Sequence, residues 1–292
     1  MTGERYQLED LLTLMAVLRD EQQGCPWDVK QNWDSIVPHT LEEAYEVADA
    51  IERRAYDELP GELGDLLFQV VYYSQFASEE GRFDFHDVVH CLTAKMVRRH
   101  PHVFPDGTLT SRRTDIPAME VETTQVKSRW ESLKADERAG REATSVLDDV
   151  PRILPALSRA AKLSKRAARV GFDWPDSRGV LAKIREELTE VEAALAEGQH
   201  EEACEEVGDL LFAVVNLSRT LKADPERYLR ATNAKFEQRF RYVESALRTD
   251  GHLPDDVDLA TMEHYWQEAK RQSGEPPISR SSDNVSQEEE AK

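Results

Sequence analysis

Apolar residues recur along this chain at helical steps of three and four. Leu8, Leu11, Leu12, Met15 and Leu18 mark a first amphipathic helix, which GCPWD (24–28) breaks. A second helix is expected from about Thr40, as its N-cap, to Arg54. Residues 57–80, with GELGDLLFQVVYYSQFASEE, are long and apolar enough for a central, mostly buried helix, and Gly81 ends it. Another helix is predicted over 85–99. HPHVFPDG (100–107) stops it, because two prolines and a glycine forbid continuation. An exposed loop (108–118), a helix (119–138) and a polar junction (139–150) follow. Further helices are expected near 155–169, 178–196, 201–222, 226–249 and 258–272, and the polar stretch beyond them reads as a disordered tail.

The pattern repeats. LEEAYEVADA…ELGDLLFQVV (41–71) aligns without a gap on REELTEVEAA…EVGDLLFAVV (185–215), 144 residues on, with 14 of 31 positions identical. GCPW is answered by GFDW, Lys95 and Arg99 by Lys235 and Arg239, and Trp130 and Lys134 by Trp266 and Lys270. The fold class is therefore all-α, a tandem repeat of two helical-bundle domains. The expected bounds are 1–140 and 141–273, with the tail at 274–292.

Charge narrows the function classes. The formal net charge of the 292 residues is -20, which repels a phosphate backbone and argues against nucleic acid as a partner. No apolar run reaches the roughly 18 residues that span a membrane, and the amino terminus has no signal-peptide core. Cys25, Cys91 and Cys204 are far apart and form no CxxC pair, which fits a reducing cytoplasm.

The acids are not spread evenly. Each copy carries E-E-x-x-E, a gap, then E-x-x-D: Glu42, Glu43, Glu46, Glu62 and Asp65 in the first, Glu186, Glu187, Glu190, Glu206 and Asp209 in the second. Residues three apart share a helix face, so folding the two helices back to back brings four carboxylates together. Two unit charges about 4 Å apart cost roughly 4 kcal/mol at an effective dielectric near 20. Protonation or a bound cation must relieve such a cluster, unless the acids are simply a solvated face. All-oxygen ligands select a hard ion, Mg²⁺ first and Mn²⁺ second. The expected ligands are Glu187, Glu190, Glu206 and Asp209, with a second set at Glu43, Glu46, Glu62 and Asp65.

Basic pairs complement them. Lys235 and Arg239 lie one turn apart, as do Lys95 and Arg99; such pairs suit phosphate, or serve as surface salt-bridge partners. Lys183 precedes Glu187 by one turn and adds a further phosphate contact; its counterpart is His39. Trp266 and Lys270 form an i, i+4 pair in which the indole either stacks on a base or packs structurally. Trp27 and Trp174 follow turn glycines and are expected in the core or a pocket wall.

GCPWD, LEEAYEV, GELGDLLFQVV, EGRFDF, RRHPHVF, VGFDW, EEVGDLLFAVVN, NAKFEQRF and WQEAKR together resemble the MazG-type nucleoside triphosphate pyrophosphohydrolases, of the all-α NTP pyrophosphatase class. The resemblance spans about residues 8–272. It implies hydrolysis of an NTP to NMP and pyrophosphate with Mg²⁺, broad base specificity, a role in nucleotide-pool housekeeping and a homodimer. By motif it assigns the metal to Glu187, Glu190, Glu206 and Asp209, and the nucleotide to Lys235, Arg239, Trp266 and Lys270. The second copy is the usual catalytic one. Glu186 or Glu187 is the candidate base, with Lys235 and Arg239 holding the phosphates. Two other readings compete: a di-iron bundle, which needs Glu-x-x-His where this chain has Asp65 and Asp209, and a non-catalytic nucleotide-sensing or protein-interaction module.

Overall fold

A computed structural model describes residues 5–113 and 145–272. The chain divides into two compact units, Met1–Arg141 and Glu142–Lys292. Among the described residues every regular element is helical. The predicted helix over 119–138, with Trp130 and Lys134, lies outside the described residues, as does the tail.

The first unit contains α1 (Leu8–Leu18), α2 (Pro26–Lys30), α3 (Trp33–Glu52), α4 (Leu59–Glu79) and α5 (Phe85–Arg99). Two sequence expectations are corrected here. GCPWD does more than break α1: Pro26, with no N–H to lose, starts the short helix α2. And α3 starts at Trp33, seven residues before Thr40. Its cap is Asn32, whose Oδ1 accepts from Asp34 N and Ser35 N, both at 3.0 Å. Thr40 sits inside the helix, where its hydroxyl donates to Ile36 O (3.1 Å) and meets the Tyr73 hydroxyl (2.9 Å).

Met15, Ile36, Val71, Tyr72, Phe76 and Phe85 form the core of this unit. Trp33 stacks on Tyr73, with centroids 5.8 Å apart. Arg19 ties the end of α1 to two other helices. Its guanidinium lies 4.3 Å over the Phe76 ring, donates to Asp28 O at 2.6 Å and pairs with Glu79 at 2.6 Å. The buried Asp28 carboxylate accepts from the Tyr72 hydroxyl at 2.5 Å; burial and this bond both push the Tyr72 phenol up.

The second unit contains α6 (Ala156–Arg169), α7 (Ser177–Ala196), α8 (His200–Thr220), α9 (Pro225–Thr249) and α10 (Leu259–Gln272), with a 3₁₀ turn at Pro254–Asp256 before α10. α6 packs on α8 as α1 packs on α4, and α10 packs on α9. Val180, Val191, Ala203, Val215, Val243 and Leu247 are buried. Arg219 again ties a helix to a tryptophan loop, bonding Asn216 Oδ1 (2.8 Å) and the Asp173 carboxylate. In that loop Trp174 lies against Gly179, where any Cβ would come within 2.5 Å of the indole.

In each unit the strongest packing is one antiparallel pair, α3 with α4 and α7 with α8. The turns match residue for residue. Ala55 N bonds Ala50 O (2.9 Å) and Arg54 N bonds Ile51 O (3.2 Å); Gln199 N bonds Ala194 O (2.9 Å) and Gly198 N bonds Leu195 O (3.2 Å). Both are Schellman caps, with a left-handed residue at φ 62° for Arg54 and 71° for Gly198.

The expectation that the GDLLF helices are mostly buried is overturned. Leu63, Leu67 and Val70 on α4, and Val207, Leu211 and Val214 on α8, are all exposed. Each set forms a stripe at steps of four and three, and the two stripes coincide under the 144-residue shift. Each helix is apolar on more faces than its own unit covers.

Only the second unit uses glycine at the left-handed turn position. Gly198→Ala should cost about 1 kcal/mol, because the added Cβ meets nothing within 4 Å and the strain is purely backbone. Arg54→Gly should raise the unfolding midpoint. Urea titration of each variant measures both.

Candidate metal and nucleotide site

The matched turns fix the register of each helix pair, and register decides which acids meet. In the second unit, Glu187 and Glu190 on α7 face Glu206 on α8. One carboxylate oxygen of each lies within 4.8 Å of the others. In the first unit the set is Glu43, Glu62 and Asp65, by the same measure. The structure thus gathers three acids per copy where four were expected. Asp209 and Glu46 stand beside their triads. Asp209 bears on Glu206 through its charge, and Glu46 shares a hydrogen bond with Glu43.

The electrostatics of the two triads differ. In the second, Lys183 Nζ lies 2.7 Å from both Glu186 Oε1 and Glu187 Oε1. Its hydrogen bond, together with those of Glu190 and Glu206, outweighs burial and holds the Glu187 carboxyl below the usual glutamate range. Glu190 is pushed up, first by its hydrogen bond to Glu187 and then by crowding; Glu206 is pushed up by desolvation and then by the charges of Glu187 and Asp209. In the first copy His39 stands where Lys183 stands in the second, and its Nδ1 is 3.7 Å from Glu42 Oε2. Glu43 has no lysine, and its carboxyl is raised by desolvation, then by Glu46, Asp65 and Glu42.

These residues suit a divalent cation of the hard class. The donors are carboxylate oxygens only, already convergent, and the repulsion that adds to the hydrogen bonding of Glu190 and the desolvation of Glu206 is what a cation would remove.

The nucleotide candidates form a second cluster, on α9 and α10. Arg239 is buried, and its guanidinium lies 5.8 Å from the Trp266 ring centre. Trp266 packs on Phe236 at 5.2 Å, and Phe236 stacks on Phe240 with planes 5° apart. These rings line an open pocket of about 350 Å³ with Val243, Leu259, Met262 and Glu263. Lys235 is exposed one turn from Arg239, and Lys270 is half-buried one turn from Trp266. Phe236 and Phe240 were missed as site residues. The signal was present in NAKFEQRF, where the rings are spaced i, i+4 beside the two cations. Trp174 and Pro175 wall a separate pocket, whereas Trp27 is exposed and meets the His39 ring edge-on at 6.1 Å. Among the described residues no helix is long and apolar enough to cross a membrane.

The chain is similar to known proteins over most of its length. The MazG nucleotide pyrophosphohydrolase domain matches twice, at residues 31–104 and 176–243. The nucleoside triphosphate pyrophosphohydrolase of Escherichia coli (strain K12) is 50% identical over 268 residues, covering 91% of this chain and 98% of that protein. The nucleoside triphosphate pyrophosphohydrolase/pyrophosphatase MazG of Thermotoga maritima is 40% identical over 262 residues, covering 90% and 95%. A nucleoside triphosphate pyrophosphohydrolase of Mycolicibacterium smegmatis is 30% identical over 221 residues, covering 68% and 63%.

Glu43, Glu190 and Glu206 are held above their unfolded values. Their protonated forms therefore favour the fold at low pH, and that contribution is lost as pH rises through the folded values. Without divalent ions, thermal stability should fall across that window, and a divalent cation should restore it. Lys183→Met should deepen the loss, since buried Glu187 would then face two acids without its cation. Melting curves from pH 4 to 8 (roughly the range bracketing ordinary and raised carboxyls), with chelator or added Mg²⁺, test this.

Proposed function

The chain belongs to the MazG nucleotide pyrophosphohydrolase family, and from that premise we propose that it hydrolyses nucleoside triphosphates to NMP and pyrophosphate with Mg²⁺, in nucleotide-pool housekeeping. The observation that carries this reading is the convergence of Glu187, Glu190 and Glu206 on one point beside Lys183. The names of the relatives supply the substrate class.

Glu187, Glu190, Glu206 and Asp209 would hold Mg²⁺, with Mn²⁺ as a substitute. When bound, the ion supplies charge neutralisation at the triphosphate and a more acidic water. The residues of the chain do the rest. Lys235 and Arg239 take the phosphates, Arg239 as a fork fixed by burial against Trp266. The base lies against Trp266 and Phe236, with Lys270 holding ribose or phosphate. Flat apolar walls read π-faces and few polar edges, which supports broad base specificity. Lys183 already spans Glu186 and Glu187 and can move to a phosphate once a cation occupies the triad. Glu186 takes the proton of the attacking water: it is exposed and can pass the proton on, whereas Glu187 is buried and held ionised.

The first copy keeps its triad but has His39 for Lys183, and we assign it a structural or nucleotide-sensing role. The exposed stripes on α4 and α8 support a homodimer, since contiguous apolar faces mark association surfaces.

Glu187→Gln with Glu190→Gln should abolish Mg²⁺-dependent pyrophosphate release, by at least about a hundredfold as is usual for lost charge stabilisation at a reacting centre; unchanged release would refute the site assignment. Leu211→Glu should convert the homodimer to monomer by light scattering. An unchanged mass would remove α8 from the interface.

A further inference from the structure

A second anion site can be built from the described residues without using the carboxylate centre. α6 carries Arg159, Lys162, Lys165, Arg166 and Arg169 and no acid, in a chain whose net charge is -20. Lys162 and Lys165 are three apart and share a face. They form one wall of an open pocket of about 610 Å³; Arg219, Lys222 and Asp224 line the other. Asp224 also caps α9, its Oδ1 accepting from Glu226 N (3.0 Å) and Arg227 N (3.2 Å). Arg219 is fixed by Asn216 and Asp173, so one cation of the pocket is rigid. No carboxylate among the described residues pairs with Lys162 or Lys222.

Packing does not explain these charges. α1, the counterpart of α6, makes the corresponding contact with α4 using LEDLLTLMAVL, which has no basic residue. Lys162 and Lys222 stand on opposite walls of the cavity, and an anion between them would relieve their mutual repulsion. A single carboxylate would engage one wall; linked phosphates span both, and their charge density matches lysine and arginine donors. A long polyanion is disfavoured by the acidic surface around the pocket. The site is also remote from the carboxylates. Glu206 and Arg219 are thirteen residues apart on α8, about 20 Å along its axis.

We propose that this pocket binds a polyphosphate anion of pyrophosphate size, without a divalent cation and without turnover. The inference does not rest on the proposed activity of the carboxylate site. The test is hydrogen exchange and calorimetry on the full chain with inorganic pyrophosphate and chelator, conditions under which cation-dependent binding at the triad is silent. Protection of residues 156–169 and 219–225 is expected. Lys162→Glu with Lys222→Glu should weaken binding by roughly tenfold or more, while Lys235→Glu leaves it unchanged. The Lys162→Gln, Lys222→Gln pair, with an unaltered melting curve, guards against a folding defect and should weaken binding in the same direction. Absence of binding, protection confined to 183–190 and 235–239, or loss of binding only in Lys235→Glu would overturn the proposal.

Discussion

Mutual repulsion among three carboxylates is the constraint around which each unit is organised. Glu187, Glu190 and Glu206 have ligand atoms within 4.8 Å of one another, and nothing about the isolated side chains favours that approach. The separation is imposed by an antiparallel helix pair whose turn sets the register. A slip of one residue in α8 would rotate Glu206 by about 100° and dissolve the set. The apolar packing of Val191, Ala194 and Ala203 is therefore what holds the charges together, and the charges return a strain that a cation relieves.

The two copies meet this constraint with different chemistry. In the second, a lysine sits at the edge of the triad and holds the Glu187 carboxyl down, while Glu190 and Glu206 are pushed up. In the first, the corresponding histidine lies beside Glu42, and desolvation raises the Glu43 carboxyl. The difference at one residue, 39 against 183, thus accompanies opposite shifts at matched glutamates, Glu43 raised and Glu187 lowered. The helix pair itself is shared, down to a left-handed residue at the same turn position.

The helix pairs, their turns and the acids they bring together were legible in the sequence because each depends on local periodicity and on a repeat visible within the chain. The start of α3 was not. Thr40 looks like a cap to any local reading, yet its hydroxyl is used inside the helix, and Asn32 does the capping. The burial of α8 was misread for a different reason. Periodicity shows that a face is apolar but not which molecule covers it. Phe236 and Phe240 escaped notice because rings at i, i+4 alone do not distinguish a packed core from a pocket wall; only the neighbouring Lys235 and Arg239 mark them. The membership of each triad was also beyond the sequence. Which of four acids stand within reach depends on side-chain directions that helix spacing alone does not set.

If the coincident stripes at 63, 67, 70 and 207, 211, 214 are both association faces, the chain is divalent in assembly. If like joins like, two chains close on each other and growth stops at a pair. If the stripe of one copy joins that of the other on a new chain, the contact is heterologous, and an open filament can follow. On that reading, duplicating the helix brings a valency problem as well as a second site. Changes between the stripes, such as leucine at 63 against valine at 207, are the kind of asymmetry that separates closed pairing from runaway polymerisation.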